Sequence, residues 1–438
     1  MSDSIAPLVN NSIYDPGVVA DYVAILKSGL SRRIQAQDIG VPVLISGNIK
    51  ENRLDVSELK YWYLNDPQGA RVENYYLDNG DILLCFINSP DQIGKLCIYQ
   101  DIGRPVIYTT NLFRIKCKPN HDSVFLYYLL ASDYIQYWIK RITKPAVNQA
   151  SFTTGDFLGI PVNIFVDINE QQKIAKILTT VDNLIEKTQA LIDKYTAIKQ
   201  GMMADLFTRG IDLSGTSDTN PCHGQLRPPY EQAPELYKET ELGWVPKEWE
   251  VYTFGDLADY KNGSSFSADD WKEEGLPIIR IQNLNGSGEY NYYQGEVKES
   301  WHILSGDLLF AWSGQKGVSF GARLWSRHEG VLNQHIFKVY ENKKLLSRKF
   351  LYYLFKINVG RIEDNAHGFK DSFVHVTRSE LTDVAIMLPT LCEQKIIEGR
   401  VLALDNSLSI EKRSLKKFGK LKKGLMQDLL TGKVQVDE

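Results

Sequence analysis

Cysteine is scarce in this chain. Cys85, Cys97, Cys117, Cys222 and Cys392 are scattered and no two stand in Cys-x-x-Cys spacing, which excludes a zinc ribbon and predicts reduced thiols in a cytosol. Long apolar runs are missing too. No stretch approaches the ~18 consecutive apolar residues needed to cross a bilayer. The opening Met1-Ser-Asp-Ser-Ile-Ala-Pro7 lacks the basic and apolar regions of a signal peptide. A cytoplasmic protein without a membrane partner is expected. There is no basic excess: 50 Lys and Arg face 54 Asp and Glu, for a net charge of -4. That argues against non-specific coating of nucleic acid but leaves open specific reading by one locally charged face.

Catalytic signatures are equally thin. No Gly-x-x-x-x-Gly-Lys-Ser/Thr phosphate loop exists, so no NTP motor is encoded. The 7 His residues form no His-Glu-x-x-His pair, no nuclease-like carboxylate cluster stands out, and no metal site is expected. Arg227-Pro-Pro-Tyr230 has the outline of the Asn/Asp-Pro-Pro-Tyr/Phe motif of adenine methyltransferases. There the first side chain accepts a hydrogen bond from the adenine amino group, and Arg has no acceptor. These absences favour a binding module.

What is present is an internal repeat. The 438 residues, 43% hydrophobic and 11% aromatic, suit two globular domains with connectors. Glu170 to Thr208 aligns without a gap to Glu393 to Thr431, with identities at Glu170/Glu393, Gln171/Gln394, Ile174/Ile397, Asp182/Asp405, Asn183/Asn406 and Lys199/Lys422. Upstream, Phe125-Leu-Tyr-Tyr-Leu129 recurs as Phe350-Leu-Tyr-Tyr-Leu354. Gly80-Asp-Ile-Leu83 recurs as Gly306-Asp-Leu-Leu309, and Gly40-Val-Pro-Val43 as Gly275-Leu-Pro-Ile278. A colinear series of this kind is a duplication. It divides the chain into a first head (1–165), a spacer helix (166–210), a linker rich in Ser, Thr, Pro and Gly (211–242), a second head (243–389) and a second helix (390–433).

Apolar residues in both helices recur every three or four positions, the pattern of a long amphipathic helix with one buried seam. The expected core is Ile174, Val181, Leu184, Leu191 and Ile198 in the first, and Ile397, Leu404, Leu408, Leu415 and Leu425 in the second. A narrow seam needs a partner, and the other helix, packed antiparallel, is at hand. Each stalk folding back on its own domain is the alternative. At ~1.5 Å per residue, forty residues make a rod of ~60 Å, longer than the ~34 Å turn of a DNA helix. The basic run from Lys412 to Lys423 is open to two readings, a phosphate contact or a solvated helix face.

The heads alternate short β-like runs with turns, so an α+β fold is expected. Polar residues at loop-like positions could read base edges, since Arg and Lys suit guanine while Asn and Gln suit adenine. In the first head these are Asn48, Lys50, Asn88, Lys95, Lys144, Asn148 and Gln149. In the second they are Arg280, Gln282, Asn283, Gln315, Lys316, Asn333, Gln334, His335, His367 and Lys370. Each could equally be a solvated turn former.

Four stretches point to one family. Glu235-Leu-Tyr-Lys-Glu-Thr-Glu-Leu-Gly-Trp-Val-Pro-Lys-Glu-Trp-Glu250 leads into the second head. The helices open on Asn169-Glu-Gln-Gln-Lys173 and Cys392-Glu-Gln-Lys395, and Lys423-Gly-Leu-Met-Gln-Asp-Leu-Leu-Thr-Gly-Lys433 closes the chain. With the repeat, they resemble the specificity subunits of type I restriction-modification systems over essentially the whole chain. The resemblance implies two pseudo-repeated target-recognition domains separated by two long antiparallel coiled-coil helices. It implies that each head reads one half of a split, asymmetric site on double-stranded DNA. It also implies that the helices set the spacing and dock two modification subunits. Those methyltransferase subunits would carry S-adenosylmethionine. Restriction subunits would bring ATP, Mg and cleavage, and this chain would have no catalytic residue or cofactor of its own. One departure is that the first head lacks the Trp244 to Trp249 opening of the second. A solitary adenine methyltransferase-like enzyme and a helical scaffold without a DNA role are the alternatives.

Overall fold

A computed structural model describes residues 14–145, 149–215, 224–366 and 373–436. The chain forms two compact units that do not follow its linear order. One comprises Met1–Ala190 and Glu411–Glu438, the other Leu191–Ile410.

Each unit holds one head, and the main four-stranded sheet of the two heads repeats strand for strand. In the first, β1 (Val23–Ser28), β2 (Ile82–Cys85), β3 (Leu96–Ile98) and β4 (Leu112–Cys117) form a sheet of order β1-β4-β2-β3. In the second, β5 (Ala258–Asn262), β6 (Leu308–Ala311), β7 (Gly321–Leu324) and β8 (Ile336–Glu341) form one of order β5-β8-β6-β7. The central strands are continuous apolar runs, buried on both sides: Ile82-Leu-Leu-Cys85 and Leu308-Leu-Phe-Ala311 are covered throughout. A second small sheet carries a parallel pair in each head, Gly40–Leu44 with Ile107–Tyr108 and Leu276–Ile279 with Gly330–Leu332. Gly29 and Gly263 mark the corresponding tight approach, where a Cβ would strike the carbonyl oxygens of Tyr108 and Asn333.

The recurring Phe-Leu-Tyr-Tyr-Leu runs form the helices Ser123–Ala131 and Arg348–Ile357. Asp122 and Ser347 cap them, accepting from the amides of Phe125 and Phe350 at 2.8 and 3.0 Å. The long helices run Ile168–Leu206 and Leu391–Leu429. No proline interrupts either. Gln171 and Gln394 fasten their first turns to the heads. Gln171 Nε2 donates to the Phe165 carbonyl at 2.7 Å and Gln394 Nε2 to that of Pro389 at 2.9 Å.

Each unit's core is completed by the far end of the other helix. In the first unit Ile174 and Leu178 of the first helix are joined by Leu429 and Leu430. In the second, Ile397 and Val401 are joined by Met203, Leu206 and Phe207. Within each unit the two helix segments run antiparallel, and an ion pair of the same kind joins them in both. Lys422 Nζ lies 2.6 Å from Asp182 Oδ1, and Lys199 Nζ lies 2.5 Å from Asp405 Oδ1. The second oxygen of each carboxylate accepts from a head tyrosine, Tyr128 or Tyr353, at 2.8 Å.

The seam differs in phase from the expected one. Ile174, Val181, Ile397 and Leu408 are buried, and Leu404, Leu415 and Leu425 are half-buried. Leu184, Leu191 and Ile198 remain 40%, 38% and 41% exposed. The buried line of the first helix passes instead through Ile174, Leu178, Val181, Thr188 and Ile192. Spacing alone could not separate these two lines. The helix carries two apolar stripes, and the one with heptad-spaced Leu184, Leu191 and Ile198 is the outer one. No helix among the described residues is long and apolar enough to cross a membrane.

Candidate nucleic-acid interface

At one edge of each head the central strand runs on into a short ribbon. In the first head Ile87–Asn88 pairs with Ala150–Ser151, which pairs in turn with Lys144–Pro145. In the second, Ser313–Gln315 pairs with Phe373–His375. The turn before β4 or β8 packs behind the ribbon. Phe86 N donates to the Asn111 carbonyl at 3.2 Å, and Trp312 N to that of His335 at 3.3 Å.

This edge gathers many of the polar residues singled out from sequence. Lys144 and Gln149 are exposed on the first ribbon, with Lys144 3.7 Å from Asp156. Asn88 is half-buried on it, its Oδ1 accepting from Ser89 N at 2.8 Å. Lys95 Nζ donates to Gln92 Oε1 at 2.5 Å. On the second ribbon Gln315 and Lys316 are exposed, and Lys316 pairs with Glu363 at 2.8 Å, which holds its ammonium above the usual lysine range. In the adjoining turn Asn333 is half-buried and Gln334 exposed. Gln334 Nε2 lies 3.2 Å from His335 Nε2, while the buried Nδ1 of His335 has no hydrogen-bond partner among the described residues. Asn148, His367 and Lys370 lie outside the described residues.

Asn48 and Asn283 are corrected to structural positions. Both are buried, at 5% and 2% exposure. Asn48 accepts from Ile45 N at 3.0 Å and donates to the carbonyls of Asp55 and Glu58 at 2.9 and 3.0 Å. Asn283 accepts from Arg280 N at 2.9 Å and donates to the Glu289 carbonyl at 2.8 Å. Their amides close two equivalent loops, leaving no free fork for a base. Beside them, Lys50 is exposed and paired with Asp55, Gln282 is exposed, and Arg280 lies over the Trp271 ring at 4.6 Å.

The structure brings in residues that sequence reasoning passed over. Trp312 packs against His335 and His375, with ring centroids 5.1 and 4.9 Å apart. Exposed Lys261 and Arg378 stand at the same edge. Their signal lay in the repeat: aligning the strands pairs Trp312 with Phe86, Phe337 with Phe113, and His375 with Ser151.

Arg227, from the methyltransferase-like tetrapeptide, has a structural partner. Its guanidinium is 5% exposed and lies 2.5 Å from Glu393 Oε1. That carboxylate also accepts from Ile211 N at 2.5 Å and from Trp249 Nε1 at 3.0 Å. Arg227 therefore clips the segment after the first long helix onto the start of the second.

The chain is similar to known proteins. The family model for the type I restriction modification DNA specificity domain matches twice, at residues 33–195 and 246–418. A protein of Methanocaldococcus jannaschii named for the MjaX specificity subunit of a type I restriction enzyme is 29% identical over 429 residues, covering 95% of this chain and 92% of its own. The MjaVIII specificity subunit from the same organism is 25% identical, covering 82% of this chain and 80% of its own. Among solved structures, the S subunit of a type I restriction-modification system from M. genitalium aligns over 97% of both chains with a TM-score of 0.58 at 15% identity.

Proposed function

Because the chain belongs to the type I restriction-modification DNA specificity family, we propose that it supplies the address for a DNA-modifying complex, each head reading one half of a bipartite, asymmetric site. The observation that carries this is a shared frame with different fittings. The two heads repeat one strand order, yet at equivalent places the first has Phe86, Asn111 and Ser151 and the second has Trp312, His335 and His375. A duplicated frame with unlike side chains at one edge suits two different half-sites.

In this proposal the helices set the spacing between half-sites and dock two modification subunits. The exposed stripe of Leu184, Leu191 and Ile198 supports it, since apolar residues at heptad spacing fit a partner helix. S-adenosylmethionine and the methylating residues belong to those partners, and ATP and Mg to the restriction subunits. The chain itself is assigned no catalytic step.

The test is co-expression with a modification subunit, followed by mapping of methylated adenines on random DNA. The expected product is one split motif. Exchanging the first head for that of a relative should change one half of the motif and spare the other. A chain that recruits no modification subunit, or a motif unaffected by the exchange, would overturn the proposal.

A further inference from the structure

The two heads differ at the place where the ribbon leaves the central strand. In the first head it is filled by rings. Phe86 stacks on Phe113 with centroids 3.5 Å apart, and Phe152 lies 6.2 Å from each. In the second head the strand register places Val376 where Phe152 stands; each directly precedes the threonine, Thr153 or Thr377, that caps the next short helix. Where the second head carries Val376 instead, it has a cleft of about 350 Å³.

The cleft has two chemically distinct zones. Its floor is Tyr260, Trp312, Phe337 and Val376. The polar atoms of the floor are turned away: Tyr260 Oη donates to the Phe254 carbonyl at 3.1 Å and Trp312 Nε1 to that of Gln334 at 3.1 Å. Its rim is Lys261, Asn262, His375 and Arg378, all exposed. An apolar floor beside a rim that holds the donor-only Lys261 and Arg378 matches one base edge in the major groove. Thymine alone presents a methyl group next to a carbonyl acceptor, O4.

We propose that the Trp312 cleft is a thymine-reading site of the second head, taking the 5-methyl group on its apolar floor while O4 accepts from a rim donor. In the first head the rings of Phe86, Phe113 and Phe152 occupy the equivalent place. This assignment rests on the reading of the heads as DNA-recognition domains and adds to it a base, a position and a difference between the heads.

The experiment uses the chain in complex with its modification subunit and duplexes bearing its methylation motif. Each thymine of the second half-site is replaced in turn by uracil, which removes the methyl and keeps O4. At one position the affinity should fall about fourfold, the worth of one buried methyl. Replacing that thymine by cytosine, which presents an amino donor instead of O4, should cost more. In the Trp312→Ala complex the uracil substitution should have no further effect, and Val376→Phe, which refills the cleft as in the first head, should behave likewise. The uracil series on the unaltered complex needs no variant to fold. A second half-site without thymine, equal affinity for uracil at every position, or methyl sensitivity surviving Trp312→Ala each overturns the assignment. A complex that binds its second half-site no better than scrambled sequence would instead overturn the underlying DNA-recognition reading.

Discussion

At the residue scale, one side chain type performs two unrelated jobs here. The donor–acceptor fork that suits Asn to adenine also suits it to a tight loop, and only burial tells the two apart. Asn283→Ala should cost about 1–3 kcal/mol of stability, because it strands the Arg280 amide and the Glu289 carbonyl. Denaturant unfolding measures that cost, and the methylation motif of the complex should keep its sequence. A second residue ties stability to pH. Burial, with the nearby Lys118 charge, holds His121 below the usual histidine range, and its Nδ1 accepts from Gln171 Nε2 at 2.8 Å. Folding therefore disfavours the proton that the unfolded chain accepts. Stability should be flat above the ordinary histidine value near 6.5 and decline as the pH falls below it, until the lowered folded value is passed. Melting temperatures across pH 7 to 5 test this, and His121→Gln should flatten the decline. Base-facing candidates such as Gln315, Lys316 and Gln334 were legible as polar residues in turns. Asn48 and Asn283 were not legible as buried, since burial depends on strands distant in sequence. Trp312 carries no mark of its own in the sequence; its place shows only against the first copy, where Phe86 stands.

At the scale of elements, the repeat made the long helices readable nearly to their ends, because a three- and four-residue pattern without proline leaves little alternative. The phase of the seam was not readable. Two apolar stripes satisfy the same spacing rule, and the choice between them is made by the partner segment. The outer stripe yields a prediction. Leu191→Glu should weaken co-purification with the modification subunit by tenfold or more while leaving the melting temperature of the isolated chain within a degree or two, because Leu191 is already 38% exposed. A large drop in melting temperature would place Leu191 in the chain's own packing.

At the scale of the whole molecule, sequence order and folding unit part company. Linear reading places the boundaries between head and helix, whereas compact packing divides each helix between two units. The head beginning at Gly243 draws Met203, Leu206 and Phe207 into its core from a helix that precedes it. Burying three such side chains contributes roughly 1.5–3 kcal/mol each, comparable in sum to the 5–15 kcal/mol stability of a typical domain. A fragment spanning 191–410 should therefore melt cooperatively, whereas one spanning 243–410 should melt far lower or not fold; circular dichroism on heating distinguishes the two. Equal melting of both fragments would show that the borrowed residues are dispensable.

The paired contacts of Asp182 with Lys422 and Lys199 with Asp405 carry a further consequence. Two copies of one helix have, in principle, two ways to lie side by side. Aligned head to head, each residue would meet its own duplicate: Asp182 would face Asp405, and Lys199 would face Lys422, like charge against like. Turned end for end, Asp182 meets Lys422 and Asp405 meets Lys199. A duplicated segment with one acid and one base spaced along it thus encodes its own orientation, and a gene that copies the segment copies the instruction for which way round the two products must pair.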